Sequence, residues 1–189
     1  VQAMLKKITF LLCIFLINHT IEHASAHPLP PTFEEKFDEA GYQSVEAAVK
    51  EFEQHYSKVK LPTVLPPFSI THKFGRFYKD PLYGMNDSLN ILYVHNEMKQ
   101  HIFKIDIRPI QPKVSFSGKA YTLQDGSQGI YFEHLLFNFF VFEESNLQYL
   151  LGIYKDSTNQ ETPNLFVQIA NSIKSNEVAT FIYFPSSIQ

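Results

Sequence analysis

The chain has 189 residues, 44% hydrophobic and 19% charged, with a net charge of −3 that is not gathered into blocks. That is ordinary for a globular domain, and the lack of a basic patch argues against nucleic-acid binding. Eighteen Phe and ten Tyr, with no Trp, tilt the expectation toward β structure, and no repeat of fixed period is visible.

Met4 reads as the true start. Lys6-Lys7 make a positive n-region, Ile8 to Ile17 is an apolar run of ten residues, and Ala24-Ser25-Ala26 is a small-x-small cleavage site. Residues 1–26 therefore read as a secretory signal peptide, with the mature chain beginning at His27. The apolar run is shorter than the roughly 20 residues a spanning helix needs, so membrane contact is expected only through the signal before cleavage. The one cysteine, Cys13, lies in that run behind Phe10-Leu11-Leu12, without the small preceding residue that bacterial lipidation requires. The expectation is a secreted or extracytoplasmic protein that is not a lipoprotein. Removing 26 residues from 189 leaves 163 with no cysteine, which excludes disulfides, thiol nucleophiles and cysteine-held iron–sulfur sites. A secreted domain without disulfides favours a bacterial protein stabilised by its core.

Residues 27–43 read as a Pro-rich lead-in, and 44–189 as a single domain. Ser44 is a cap for a helix reaching about Ser57, with Val45, Ala48, Val49, Phe52, Tyr56 and Val59 on one face. Pro62, Pro66 and Pro67 then impose an extended segment. Strands are predicted at Phe68–Phe74, Leu89–Val94 and His101–Ile107, the last with Phe103, Ile105 and Ile107 on a core side and Lys104 and Asp106 on a wet side. Val114–Phe116 and Lys119–Leu123 follow. Asp125-Gly126 between apolar runs marks a tight hairpin. Beyond it come Ile130–Phe132, a turn at Glu133-His134, and Leu135–Phe142, a run apolar on both faces and broken only by Asn138. Such a strand belongs in the middle of a sheet, covered twice.

Glu144-Ser145-Asn146 reads as a turn, and Leu147, Tyr149, Leu151 and Ile153 share a face of the next strand. Thr162-Pro163 has the form of a helix start. Leu165, Phe166, Ile169, Ala170 and Ile173 then make one apolar stripe, and Asn171 lies outside it. The stripe is expected on Phe137, Phe139 and Val141 with Leu147, Tyr149 and Leu151. Val178–Phe184 reads as a last edge strand. The whole predicts an α+β fold: an antiparallel sheet of about six to eight strands with two helices packed on one face.

Leu61-Pro62, Leu65-Pro66-Pro67, Leu89 to Tyr93, Asp125-Gly126, Tyr131, Phe140 to Glu143, Leu147-Gln148-Tyr149 and Leu165 to Ile173 together resemble a domain-of-unknown-function family of extracytoplasmic Gram-positive bacterial proteins. Some members are outer domains of anti-sigma factors, and others are small secreted proteins. The resemblance covers about Val45 to Lys174 and implies no catalytic residues. The chain shows neither the cytoplasmic domain nor the spanning helix of the anti-sigma members, so a signalling role is not expected.

Of the six histidines beyond residue 26, no pair has zinc-helix spacing. His95 and His101 flank a turn and can face each other, but zinc needs a third ligand. Glu133 and the Glu143-Glu144 pair read as solvated carboxylates at strand ends, and no nucleophile elbow, phosphate loop or dinucleotide fingerprint is present. Asn86-Asp87-Ser88 matches a glycosylation acceptor only in a eukaryotic host. No metal or cofactor is expected. The aromatic residues have two readings: core beneath the helices, or a groove for a lipid, peptide or glycan. Phe140, Phe142, Tyr131 and Tyr154 are the candidate binding residues. The expected function is an exported, non-catalytic domain with a binding or accessory role at the cell envelope, its partner an envelope protein or an apolar ligand. The alternatives are a carrier of an apolar ligand or peptide in a sheet groove, and a hydrolase with a site not visible in sequence.

Overall fold

The computed structural model describes residues 30–81, 86–112, 114–158 and 161–175. The sheet and helices fall in one compact unit that begins at Phe33. Its described elements are α1 (Phe33–Glu39), α2 (Val45–Phe52), β1 (His72–Tyr78), β2 (Ser88–Val94), β3 (Ile102–Pro109), β4 (Lys119–Thr122), β5 (Gln128–His134), β6 (Phe137–Glu144), β7 (Leu147–Tyr154) and α3 (Thr162–Ser175). The seven strands form a single antiparallel sheet in the order β1-β2-β3-β7-β6-β5-β4. Two meanders, β1–β3 and β4–β7, meet where β3 pairs with β7, which leaves β6 and β7 well inside the sheet. The α+β class and the strand number follow the expectation from sequence. Val178–Phe184 lies outside the described residues.

Paired residues of an antiparallel ladder point to the same face. One such row runs Gly75, Ile91, Ile105, Leu151, Phe140, Tyr131, and a second runs Phe77, Leu89, Ile107, Tyr149, Phe142. These rows carry most of the core. The α2 helix meets them at β1: its Phe52 ring stands edge-on to Phe77 at 5.5 Å, and a Cβ on Gly75 would fall 2.7 Å from Ala48 Cβ and 2.9 Å from Val45 Cα. Glycine at 75 lets the helix backbone approach the strand. The α3 helix meets the rows at β6, where Phe166 stacks on Phe140 at 5.8 Å.

The register corrects one expected contact. Phe137, Phe139 and Val141 pair with Tyr154, Gly152 and Leu150 on the opposite side, so the α3 stripe meets Phe140 rather than these residues. A run apolar on both faces gives no parity signal, which is why its alternation could not be read from sequence.

That opposite side is covered by the chain itself. Residues 33–43 were expected to be only a lead-in, yet α1 docks there: Phe37 stacks on Phe74 at 4.1 Å, and His72 Nε2 lies 2.7 Å from Glu34 Oε1. The segment between β3 and β4 crosses the same face, with Phe116 stacked on Phe132 at 5.3 Å and Val114 O accepting from Gln148 Nε2 at 2.9 Å. Val114–Phe116, the lead into β4, is therefore a crossing segment. The stem of Lys104 lies in the space left by Gly152, where a Cβ would meet its Cγ at 2.9 Å, and its Nζ sits 4.0 Å from the Phe137 ring centroid. Burial pushes the Lys104 amine below its ordinary pKa. Phe139 and Val141 are buried under this cover.

Capping residues set the helix limits. Ser44 Oγ accepts from Ala47 N–H at 3.1 Å, starting α2 as expected. The helix stops at Phe52 instead of Ser57 because Glu53 folds back, taking Val59 N–H at 2.8 Å and Lys58 Nζ at 2.8 Å. The strand predicted at Phe68–Phe74 begins later, at His72.

The hairpins show where turn chemistry was legible. Gly126 has φ of +84°, and Leu123 N–H reaches Ser127 O at 2.8 Å, closing the Asp125-Gly126 hairpin. The next turn is displaced from expectation: Glu133 and His134 lie in β5, and the tip is Leu135-Leu136, with Leu135 at φ +48° and 79% exposed. A left-handed leucine costs about 1–2 kcal/mol of backbone energy. Glycine there gives back about 0.5–1 kcal/mol as extra chain entropy. Leu135→Gly is thus expected to stabilise the fold by up to about 1 kcal/mol; a lower urea midpoint than the parent's would count against this turn.

A four-group ion network ties the end of α3 to the sheet. Lys174 Nζ lies 2.9 Å from Asp125 Oδ2 and 3.0 Å from Glu144 Oε2, and Lys60 Nζ lies 2.9 Å from Glu144 Oε1. Hydrogen bonds from Ser127, then from Lys174, hold the Asp125 carboxyl well below the usual carboxylate range. Burial pushes Glu144 up, but donors from Lys60, Lys174 and Ser145 outweigh it and its pKa is lowered. A carboxylate depressed in the folded state contributes stability above its unfolded pKa, about 4, and loses it as pH falls through the folded value. Stability should hold from neutral pH down to about pH 5 and decline below about pH 4. In urea midpoints measured across that range, Asp125→Asn with Glu144→Gln should flatten the acid decline; an unchanged slope would mean that other groups carry it.

Candidate functional site

The face of the sheet that carries α2 and α3 ends in a cleft at the start of α3. It is lined by Lys119 and Tyr121 of β4, Tyr131 and Glu133 of β5, Asn138 of β6, Lys155 and Thr158 from the connection to α3, and Pro163 in the first turn of α3. Its volume is about 590 Å³, within the roughly 300–1,000 Å³ range of small-ligand sites. The register assembles it: Lys119 pairs with Tyr131, and Glu133 pairs with Asn138. Side chains alternate along a strand, so Lys119 and Tyr121, Tyr131 and Glu133, and Asn138 all point to one side.

Two aromatic rings form the wall. Tyr121 and Tyr131 meet edge-to-face at 6.3 Å, the arrangement aromatic quadrupoles favour. Tyr131 leans on Phe166 at 6.2 Å and Tyr121 on Phe140 at 6.4 Å, so the core fixes both. Burial, with Glu133 nearby, pushes the Tyr131 hydroxyl up to about 12. At neutral pH it is a hydrogen-bond donor, and it reaches Glu133 Oε1 at 3.4 Å. Glu133 also pairs with Lys155 Nζ at 3.1 Å. Lys119 Nζ lies 5.2 Å from the Tyr121 centroid, within cation–π range, and pairs with no carboxylate among the described residues.

The least satisfied group in the lining is Asn138, only 6% exposed. Its Nδ2 donates to Thr158 Oγ1 at 3.0 Å. Thr158 Oγ1 spends its own hydrogen on Lys155 O, at 2.5 Å, so the threonine oxygen must accept, and the amide orientation of Asn138 is fixed by the network. Its Oδ1 has no hydrogen-bond partner among the described residues. A buried amide oxygen without a donor costs about 1–3 kcal/mol, and native structures contain few of them.

The four candidate residues do not form one site. Phe140 and Phe142 are buried, at 0% and 2% exposure, as core under α3 and the sheet. Tyr154 is on the opposite face, edge-on to Phe137 at 5.5 Å. Only Tyr131 lines the cleft. Lys119, Tyr121, Asn138 and Thr158 were not singled out from sequence as binding residues. The available signal was Asn138 itself, the one polar residue in an otherwise apolar run.

His95 and His101 do approach, with rings 5.9 Å apart, but His95 Nδ1 already accepts Glu97 and Met98 N–H groups at 3.1 and 3.2 Å. Among the described residues no group of three or more His, Cys, Asp or Glu is placed to hold a metal ion. No described helix is long and apolar enough to cross a membrane. The chain matches no protein-family model, no curated protein and no solved structure. The site therefore has to be read from its own chemistry.

Proposed function

We propose that the chain is an exported, non-catalytic domain with a binding or accessory role at the cell envelope, and that the Tyr121–Tyr131 cleft is where it binds. The observation that carries this reading is the unpartnered Asn138 oxygen in a cleft whose tyrosines are braced by the core. A braced aromatic wall with a few fixed polar groups suits recognition, because little ordering entropy is lost when a ligand arrives. Chemistry is less well supplied. The Tyr131 hydroxyl stays protonated near neutral pH, and Glu133 is tied to Lys155. The signal-peptide pattern of residues 1–26 supports export, and the resemblance to an extracytoplasmic family supports an envelope setting.

Two measurements test this. N-terminal sequencing of material recovered outside the cytoplasm should begin near His27; an uncleaved chain held in the membrane would contradict export. The purified mature protein should also co-sediment with isolated Gram-positive cell-wall sacculi, and absence of any co-sedimentation would contradict the envelope role.

A further inference from the structure

The cleft lining has a mixed character that narrows the ligand class. A purely apolar ligand would leave the Asn138 oxygen unpaired and the Lys155–Glu133 pair partly desolvated, both of which cost free energy. A purely ionic ligand would make no use of two tyrosine faces. A sugar ring satisfies both demands. Its axial C–H groups form an apolar face that packs on aromatic rings, and its equatorial hydroxyl or acetamido groups form a polar rim.

Resting on the proposed envelope-binding role, we infer that this cleft is a saccharide site for an acidic amino sugar: the ring packs on Tyr121 and Tyr131, an O–H or N–H donor serves Asn138 Oδ1, and an anionic substituent meets Lys119.

Each part has its own support. Tyr121 and Tyr131 are both partly exposed, so their rings can be covered. Asn138 offers an acceptor and no free donor on that atom, because Thr158 fixes the amide, so the ligand must bring the hydrogen. Asn138 lines the cleft, and its oxygen is buried in this structure, so the hydrogen bond requires the lining to open. At the rim, Lys155 and Glu133 neutralise each other at 3.1 Å. Lys119, on the edge strand β4, is the cation left for an anion. An exposed ion pair contributes modestly, so Lys119 selects among sugars more than it holds them.

Isothermal titration of the mature protein tests this with three probes: the disaccharide of N-acetylglucosamine and N-acetylmuramic acid, which carries a carboxylate; neutral chitobiose; and acetate alone. The disaccharide should bind more tightly than chitobiose, and acetate should show no saturation. Lys119→Ala, on an exposed strand edge, should weaken the disaccharide about two- to fivefold and leave chitobiose unchanged. Tyr121→Ala should weaken both sugars about two- to tenfold. If Tyr121→Ala fails to fold, Lys119→Ala alone decides. No saturable sugar binding, or disaccharide binding indifferent to Lys119→Ala, overturns the assignment. Sacculus affinity unchanged in both variants would sink the saccharide site while leaving an envelope-binding domain standing; no sacculus binding by the parent protein would remove that broader reading.

Discussion

Ile169→Ala is expected to lower the unfolding free energy by about 2–5 kcal/mol. Ile169 is fully buried, as are Phe166, Ala170 and Ile173 beside it on α3. A 14-residue helix is marginal by itself, so its apolar stripe must supply the docking energy. Truncation deletes three carbons from a packed site and leaves a cavity that neighbours fill only partly. Gln168, exposed on the same helix, is the control, and Gln168→Ala should change stability by less than about 0.5 kcal/mol. Asn171, outside the stripe, is a poorer control than its position suggests. Its Oδ1 accepts from Gln124 N–H at 2.9 Å and tethers the β4–β5 hairpin, so its loss should cost about 0.5–1.5 kcal/mol. Urea melts of the three variants rank them directly. If Ile169→Ala were as stable as the parent, α3 would not be docked as described.

Phe140→Ala should cost about 3–5 kcal/mol, the range for a buried phenylalanine. The ring is fully buried and stacked on Phe166 with an interplanar angle of 11°. It also fills the space over Gly129, where any Cβ would run into it. The substitution separates the two readings of the aromatic run. A core residue loses stability on truncation; a groove-lining residue loses ligand and keeps its fold. Tyr154→Ala, on the other face and partly exposed, should cost clearly less than Phe140→Ala. Equal costs in a denaturant melt would argue against the burial described for Phe140.

Much of the fold was legible because local chemistry and tertiary structure agree. Ser44 caps α2, Thr162-Pro163 opens α3, and Asp125-Gly126 turns the β4–β5 hairpin. The clean alternation of Phe103, Ile105 and Ile107 gave β3 its correct inward face. The failures have equally specific causes. A segment introduced by prolines hid the short helix α1, whose two phenylalanines find their partner, Phe74, far along the chain. Leu135 occupies a left-handed turn position normally left to glycine, so propensity placed the turn two residues too early. Glu53 ends α2 through a side-chain bond to Val59, which no periodicity reports.

The candidate site was less legible than the fold. Tyr131 drew attention as an aromatic residue, but its partners come from the neighbouring strands β4 and β6, and only register brings them together. Phe140 and Phe142 share Tyr131's composition signal yet lie buried in the core. Sequence can count aromatic residues, whereas burial decides which of them a ligand can reach.

The proposed binding surface is the Tyr121–Tyr131 end of the face that carries α2 and α3. Backbone and side-chain amide chemical-shift mapping, with soluble cell-wall fragments added to the isotope-labelled mature protein, tests it most directly. Perturbations are expected to gather on Lys119, Tyr121, Tyr131, Thr158 and the Asn138 side-chain amide, with β1 and β2 silent. Perturbations gathered instead around Leu92, Lys104 and Leu150 on the opposite face would contradict it.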